Sequence, residues 1–419
     1  MRYAGQIQVA YDARSGALDL GRSTVSLPHS RVDFSGAINS ELKVHLETSD
    51  LNDLLPALGT SAASVPVKLG NGPALGAALF DGSVTGNLNN PRIAGRLRAN
   101  NFTFSDQHVD SLEADVMAAA DFLRVQNATA AQGPLRAQFQ GSVGLSQWKT
   151  GETSPIAGSA TLKNAALADL AGLLHTKDLP VTGTLNGSAQ VNGTIGAPRA
   201  QADLELVKGT LRDEPFDRLT ARAAYTANTL TVTNAQLAAG VKQIRLSATF
   251  QHPAGHFDTG RLRFDVSSNA MPVEEIRSLV DLRPGMKGTL QVTASGQVEL
   301  RPSAKTAYRI DELHADIATK GVQLKGQPLG DAHLTANSQG RALRAHLDST
   351  VAGSVVKGDG EWRLEGEYPG TATLSFSQLN LAELKPWLAT TPGQDAAQFA
   401  GTVEGVLRVE GPALNWRAM

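Results

Sequence analysis

The sequence predicts a mainly β protein: an elongated repeat β-sheet curled into an open groove, with one short helix in each unit of about 110 residues. Three observations predict it. Apolar and polar residues alternate along almost the whole chain, short turn signals separate the alternating runs, and three kinds of marker recur at one common spacing.

The alternation fixes the element type. A strand points successive side chains to opposite faces, so a half-buried strand reads apolar then polar with a period of two. Leu135, Ala137, Phe139, Gly141, Val143 and Leu145 form one such row against Arg136, Gln138, Gln140 and Ser142. The segment from Leu219 to Tyr225 places its odd positions on one side, and Leu262, Phe264 and Val266 alternate with Arg261, Arg263 and Asp265. Near the end, Val403, Gly405, Leu407 and Val409 alternate with Thr402, Glu404, Val406 and Arg408. Arg14-Ser15-Gly16, Asn186-Gly187 and Ala227-Asn228 read as intervening turns, giving strands of about 6–11 residues.

Four segments carry a helical period instead: Asp50 to Leu58, Ala166 to Leu174, Pro272 to Val280 and Asn380 to Leu388. Their second, fifth and ninth positions are Leu51, Leu54 and Leu58; Leu167, Leu170 and Leu174; Val273, Ile276 and Val280; and Leu381, Leu384 and Leu388. Apolar residues three and four apart make one face of a short helix. The fourth position is always acidic, at Asp53, Asp169, Glu275 and Glu383, which suits the first turn of a helix; a metal or partner contact is the alternative. Glycines at 82, 183, 288 and 401 and prolines at 91, 198, 302 and 412 follow each helix. The resulting units are 1–49 (partial), 50–165, 166–271, 272–379 and 380–419 (truncated), and the chain reads as a fragment of a longer protein.

Composition narrows the function. Lys plus Arg total 38 and Asp plus Glu 40, so no basic face for nucleic acid is expected. There is no Cys, hence no disulfide framework and no thiolate chemistry. No apolar run approaches the ~20 residues of a membrane helix. No Walker A loop is present, and the glycines at 70, 72 and 76 have the wrong spacing for a dinucleotide loop. His252 and His256 stand four apart, but Pro253 and Gly255 forbid the helix that would align them on a metal, so a polar loop is expected there. Asn101, Asn127, Asn186 and Asn192 fit the glycosylation pattern, which strand turns generate freely. No enzyme, catalytic residue, metal or cofactor is expected.

How the apolar rows close has two answers. They form packed sandwiches, one per unit, or one sheet leaves an apolar groove open. Aromatics are only 5% and the rows are rich in Leu, Val, Ala and Gly, which favours the groove.

These features together resemble the AsmA-like superfamily, and within it the translocation and assembly module branch. Pro272 to Leu290 and Gly183 to Arg199 carry the likeness best, and it extends over the whole chain as repeat texture. The resemblance implies a "β-taco" sheet with an apolar groove bridging the periplasm. It also implies phospholipid passing between the two membranes, and an inner-membrane anchor that this chain lacks. Phospholipid acyl chains are then the expected partner, with membrane contact through segments missing from this chain. The groove-facing candidates are Leu135, Phe139, Val143, Leu219, Tyr225, Leu230, Val232, Ile244, Leu246, Phe250, Leu262, Phe264, Val266, Leu290 and Val292. The alternative is a scaffold for outer-membrane proteins working with an Omp85-type barrel through a free sheet edge. A repeat surface adhesin of separable domains is the third reading.

Overall fold

The computed structural model describes residues 4–14, 17–38, 40–54, 67–70, 76–87, 90–104, 107–169, 180–301, 308–383 and 401–412. The chain divides into two compact units, Met1–Leu206 and Val207–Met419, with the division inside the strand Pro198–Leu211.

Both units are made of antiparallel strands, the long ones hydrogen-bonded each to the next long one in sequence. In the first, pairing runs from Ala17–Ser26 through Ser30–Ile38, Glu41–Thr48, Ala77–Asn87, Asn90–Phe104, Gln107–Ala119, Phe122–Gln132, Leu135–Gly144 and Pro155–Ala166 to Thr184–Thr194. In the second it runs from Glu214–Thr226 through Thr229–Ala239, Lys242–Gln251, Gly260–Ser268, Met286–Leu300, Tyr308–Leu324, Gln327–Gln339, Ala342–Val351, Ser354–Arg363 and Pro369–Asn380 to Thr402–Pro412. Among the described residues no pairing joins the first of either series to its last, so the sheets are open. The fold is mainly β, as the alternation predicts.

Strand lengths recur. Six strands of 11, 15, 13, 11, 10 and 12 residues starting at Ala77 are followed by six of 11, 14, 13, 11, 10 and 9 starting at Thr184. The ladder does not break where one repeat gives way to the next. Ala160 pairs with Ala189, Phe264 with Gly296, and Leu374 with Leu407. Separate sandwiches would instead place a hydrogen-bonding gap there.

Several strands exceed the expected length, up to 17 residues in Tyr308–Leu324. Several strands also contain β-bulges. The register slips between Val125 and Ala128, Leu162 and Ala165, Val232 and Ala235, and Phe376 and Leu379. A left-handed residue sits in each gap: Asn127 (φ 50), Asn164 (φ 55), Asn234 (φ 53) and Gln378 (φ 54). One extra residue flips the alternation, so apolar positions 123 and 125 continue as 128 and 130 on the same face. Asn tolerates this backbone better than other L-residues, because its short amide bonds locally. Asn127 donates from Nδ2 to Asp115 at 2.8 Å, and the Asn164 amide donates to Asn186 Oδ1 at 3.0 Å. Asn186-Gly187 is therefore no turn. It lies inside Thr184–Thr194, where its side chain patches a neighbouring bulge. Asn101 and Asn127 fit the glycosylation pattern for the same backbone reason: both are left-handed residues within strands.

The helical segments differ in detail from expectation. In the third, Pro272 to Val280 is not one helix: Val273–Glu275 form a 3-10 turn, Ile276 is extended, and an α-helix follows at Arg277–Leu282. Its first amides are capped from a distant hairpin, with Arg277 and Ser278 donating to the Glu214 carboxylate at 3.2 and 2.7 Å. At Leu51–Asp53 there is a 3-10 turn, and Leu167 and Leu381 open helical turns; residues 55–58, 170–174 and 384–388 lie outside the described residues. Gly183, Gly288 and Gly401 share φ near 131–140, whereas Gly82, inside the strand Ala77–Asn87, does not adopt that conformation. Pro302 lies outside the described residues, whereas Pro198 opens its strand, where no ladder donor is lost.

Nothing packs a thick core. Thr48 is the largest side chain below 2% exposure among the described residues. The clearest buried cluster, Leu69, Ala78 and Phe102 with Leu51 and Val67 against it, sits at the sheet margin where the helical turn crosses.

If the bulge is what re-phases each strand, Asn234→Val should destabilise the second unit by about 1–2 kcal/mol, because a β-branched residue resists the left-handed region. Asn234→Gly should cost much less. Denaturant midpoints of the two variants measure this.

Candidate functional site

The register assembles the alternating positions into rows that cross the strands. In the second unit Tyr225, Leu230, Phe250 and Leu262 are successive partners, as are Leu219, Leu237 and Ile244. Val232 leads through Ala248 to Phe264 and Gly296, and Leu246 leads through Val266 to Ala294. Val292 meets Ile317, and Leu290 meets Met271. In the first unit Phe139 joins Ala128 to Ala160 and Val143 joins Leu123 to Ile156, while Leu135 closes the hairpin opposite Gln132. The fifteen candidates thus occupy the apolar face of their own unit's sheet.

Among the described residues no second sheet lies against that face. Of the fifteen, Phe250 is buried, Leu246 is exposed, and the other thirteen are half-buried. A second sheet packed on them would bury most of them.

Between the rows of large residues runs a lane of small ones. In the second unit it passes from Ala235 through Leu246 and Val266 to Ala294, Ala315, Ala336, Ala345, Gly360, Ala372 and Val409, ten strands in all. At ~4.8 Å per strand this lane is about 43 Å long. On one side stand Phe264, Leu313, Leu343 and Trp362; on the other stand Ile317, Leu334, Leu347, Leu374 and Leu407. The first unit has the same arrangement, with Val44, Gly82, Gly95, Val116, Val125, Gly141, Gly158 and Val191 as successive partners. Glycines in or beside these lanes leave room for rings. The Phe80 ring comes within 2.6 Å of where a Cβ of Gly82 or Gly95 would stand, and a Cβ on Gly360 would run into the Trp362 indole. Aromatics therefore lie over the sheet instead of standing up from it.

The opposite face is a ladder of charges. In the first unit His45 Nδ1 lies 2.5 Å from Asp81, Arg98 lies 3.8 Å from Asp81 and 2.9 Å from Glu113, and Arg96 lies 2.8 Å from Glu113. The hydrogen bonds from Arg98 and then Arg96 hold the Glu113 carboxyl below the usual range. Asp33 is lowered by the Thr24 hydroxyl and then by Arg31. In the second unit His314 is raised, first by its bond to Asn337 and then by Glu312; His346 is raised, first by Asp359. The hollow of about 720 Å³ among Thr24, Lys43, His45 and Asp81 belongs to this polar face and is a gap between long side chains. No group of three or more metal-ligating side chains is found among the described residues.

Two polar expectations change on inspection. The Asp53 carboxylate reaches across to the preceding hairpin, accepting from the His29 amide at 2.6 Å and the Ser30 hydroxyl at 3.2 Å. Asn380 does cap its own turn, accepting from the Ala382 amide at 3.1 Å and donating to Glu383 at 3.2 Å. His252 is not in a solvated loop; it is 5% exposed among Tyr225, Phe250 and Phe257. The candidate list also stopped short: Ile317, Leu334, Leu347 and Leu374 continue the face, and their own alternation with polar neighbours marked them equally well.

No family model matches this chain, and neither does any curated protein or any solved structure.

The raised histidines give a signed pH dependence. Their contribution is fully present below the ordinary His value and is lost as pH rises through the raised folded values. Thermal melts at pH about 5.5 and about 8.5 should show the second unit weaker at the higher pH, and His314→Gln with His346→Gln should flatten that difference.

Proposed function

We propose that the chain is a lipid-transfer conduit of the periplasm, its apolar face carrying phospholipid acyl chains between inner and outer membranes during outer-membrane biogenesis. The observation that carries this reading is the continuous apolar face of an open sheet, half-buried and without a covering layer among the described residues. A packed domain gains nothing by leaving such a face uncovered. An acyl chain gains about 0.8 kcal/mol for each CH₂ it removes from water, so ten of them laid along the lane amount to about 8 kcal/mol. The hydrocarbon core of a bilayer is ~30 Å thick, about 15 Å per leaflet, so a lane of about 43 Å has room for more than one chain end to end. Head groups stay at the open side. Texture of the TamB type within the AsmA-like superfamily agrees with this reading, including a periplasmic site and an inner-membrane anchor in the full-length protein.

A second reading is a scaffold for outer-membrane protein assembly with an Omp85-type barrel, in which a client strand adds to an edge of the open sheet.

Lipid mass spectrometry on protein purified from the periplasm without detergent separates the two. The conduit reading expects co-purified phospholipid, lost in Phe264→Asp and Leu246→Arg while circular dichroism shows the sheet intact. A folded, lipid-free wild type contradicts it. The scaffold reading expects prolines along a sheet edge to be the most damaging changes.

A further inference from the structure

One buried polar group on the apolar face is left unexplained by packing. His252 follows the strand Lys242–Gln251, and its ring centroid lies 4.4 Å from Phe257, 5.3 Å from Phe250 and 5.9 Å from Tyr225. Its amide donates to the Asn228 carbonyl at 3.0 Å, which fixes where the ring enters the cluster. Nδ1 is 2.8 Å from the Pro253 carbonyl. A carbonyl only accepts, so Nδ1 carries the proton and Nε2 presents a lone pair. Nε2 is buried and has no hydrogen-bond partner among the described residues. Buried acceptors are normally paired. A phenyl ring here would keep every aromatic contact without that cost.

The ring nearest the imidazole is also the least secured. Phe257 is 56% exposed and belongs to a loop in which Gly255 has φ 76. Displacing it loses little burial and opens Nε2. Tyr225 and Phe250 also belong to the row Tyr225, Leu230, Phe250 and Leu262, so a headgroup held here stands beside the apolar face that takes its acyl chains.

We infer that Tyr225, Phe250, His252 and Phe257 form a headgroup site that selects lipids bearing an N–H or O–H donor, such as an ethanolamine ammonium or a glycerol hydroxyl, with His252 Nε2 as acceptor. This rests on the conduit reading. A choline headgroup is also a cation but has no donor, so it can stack on the rings without satisfying Nε2.

Native mass spectrometry of the whole chain with an equimolar mixture of ethanolamine, glycerol and choline phospholipids of identical acyl chains tests it. Ethanolamine and glycerol lipids should be retained roughly fivefold over choline, the value of one net hydrogen bond. His252→Phe should abolish that preference, lowering ethanolamine and glycerol lipid to the level of choline lipid. Equal retention, a choline preference, or a preference that survives His252→Phe overturns the inference and leaves the conduit standing. No lipid of any headgroup overturns both. Should His252→Phe fail to fold, the ¹⁵N shift of His252 Nε2 in the wild-type protein decides: it moves with ethanolamine lipid and not with choline lipid, and an unmoved signal rejects the site.

Discussion

A single left-handed residue in the middle of a long strand is the constraint on which the rest depends. An extra residue inside a strand would turn every apolar position beyond it to the other face unless the backbone absorbs it. Asn127, Asn164, Asn234 and Gln378 each absorb one residue and return the apolar set to its original face. Without them the apolar positions of these four strands would change face partway along. With them, rows such as Ala235 to Val409 stay unbroken over ten strands. The bulges recur with the repeat, since Asn127 and Asn234 are 107 residues apart.

The continuity of those rows has a cost in stability that other features offset. An uncovered apolar face forgoes the burial that holds most domains together, so the sheet relies on its backbone ladder and on local devices. Rings over glycines cover exposed backbone, as Phe80 does at Gly82 and Gly95 and Trp362 at Gly360. On the other face ion pairs link neighbouring strands; exposed pairs are each weak, and their number and alternation of sign matter more than any one of them. At the margin, helical turns bury the small cluster around Phe102, and Glu214 caps a helix from 63 residues away in sequence. Burial raises the Glu214 carboxyl, but the amides of Ser278 and Arg277 outweigh it and hold it low, so this cap weakens as pH falls.

Much of this was legible in the sequence, and the limits are physical. Alternation at Leu135 to Val143 and Leu262 to Val266 gave both element type and facing, because period two has no competing reading there. The same alternation breaks phase at Leu230, Val232, then Ala235, Leu237; that slip is the visible trace of a bulge, and Asn234 at the slip names the residue. Asn186-Gly187 misled because a turn signal is local, whereas its role is set by a bulge in the adjacent strand. The helix expected at Pro272 to Val280 broke at Ile276 because its first amides are capped by Glu214, a partner no local pattern contains. His252 was unreadable for a similar reason: the rings around it come from two strands and a loop.

Photo-crosslinking addresses the central claim most directly. A benzophenone side chain placed in cells at Phe264 or Leu334, on the apolar face, should yield phospholipid adducts, whereas the same group at Arg263 or His333, one residue away on the polar face, should not. Adducts on neither face, or equally on both, would contradict the account.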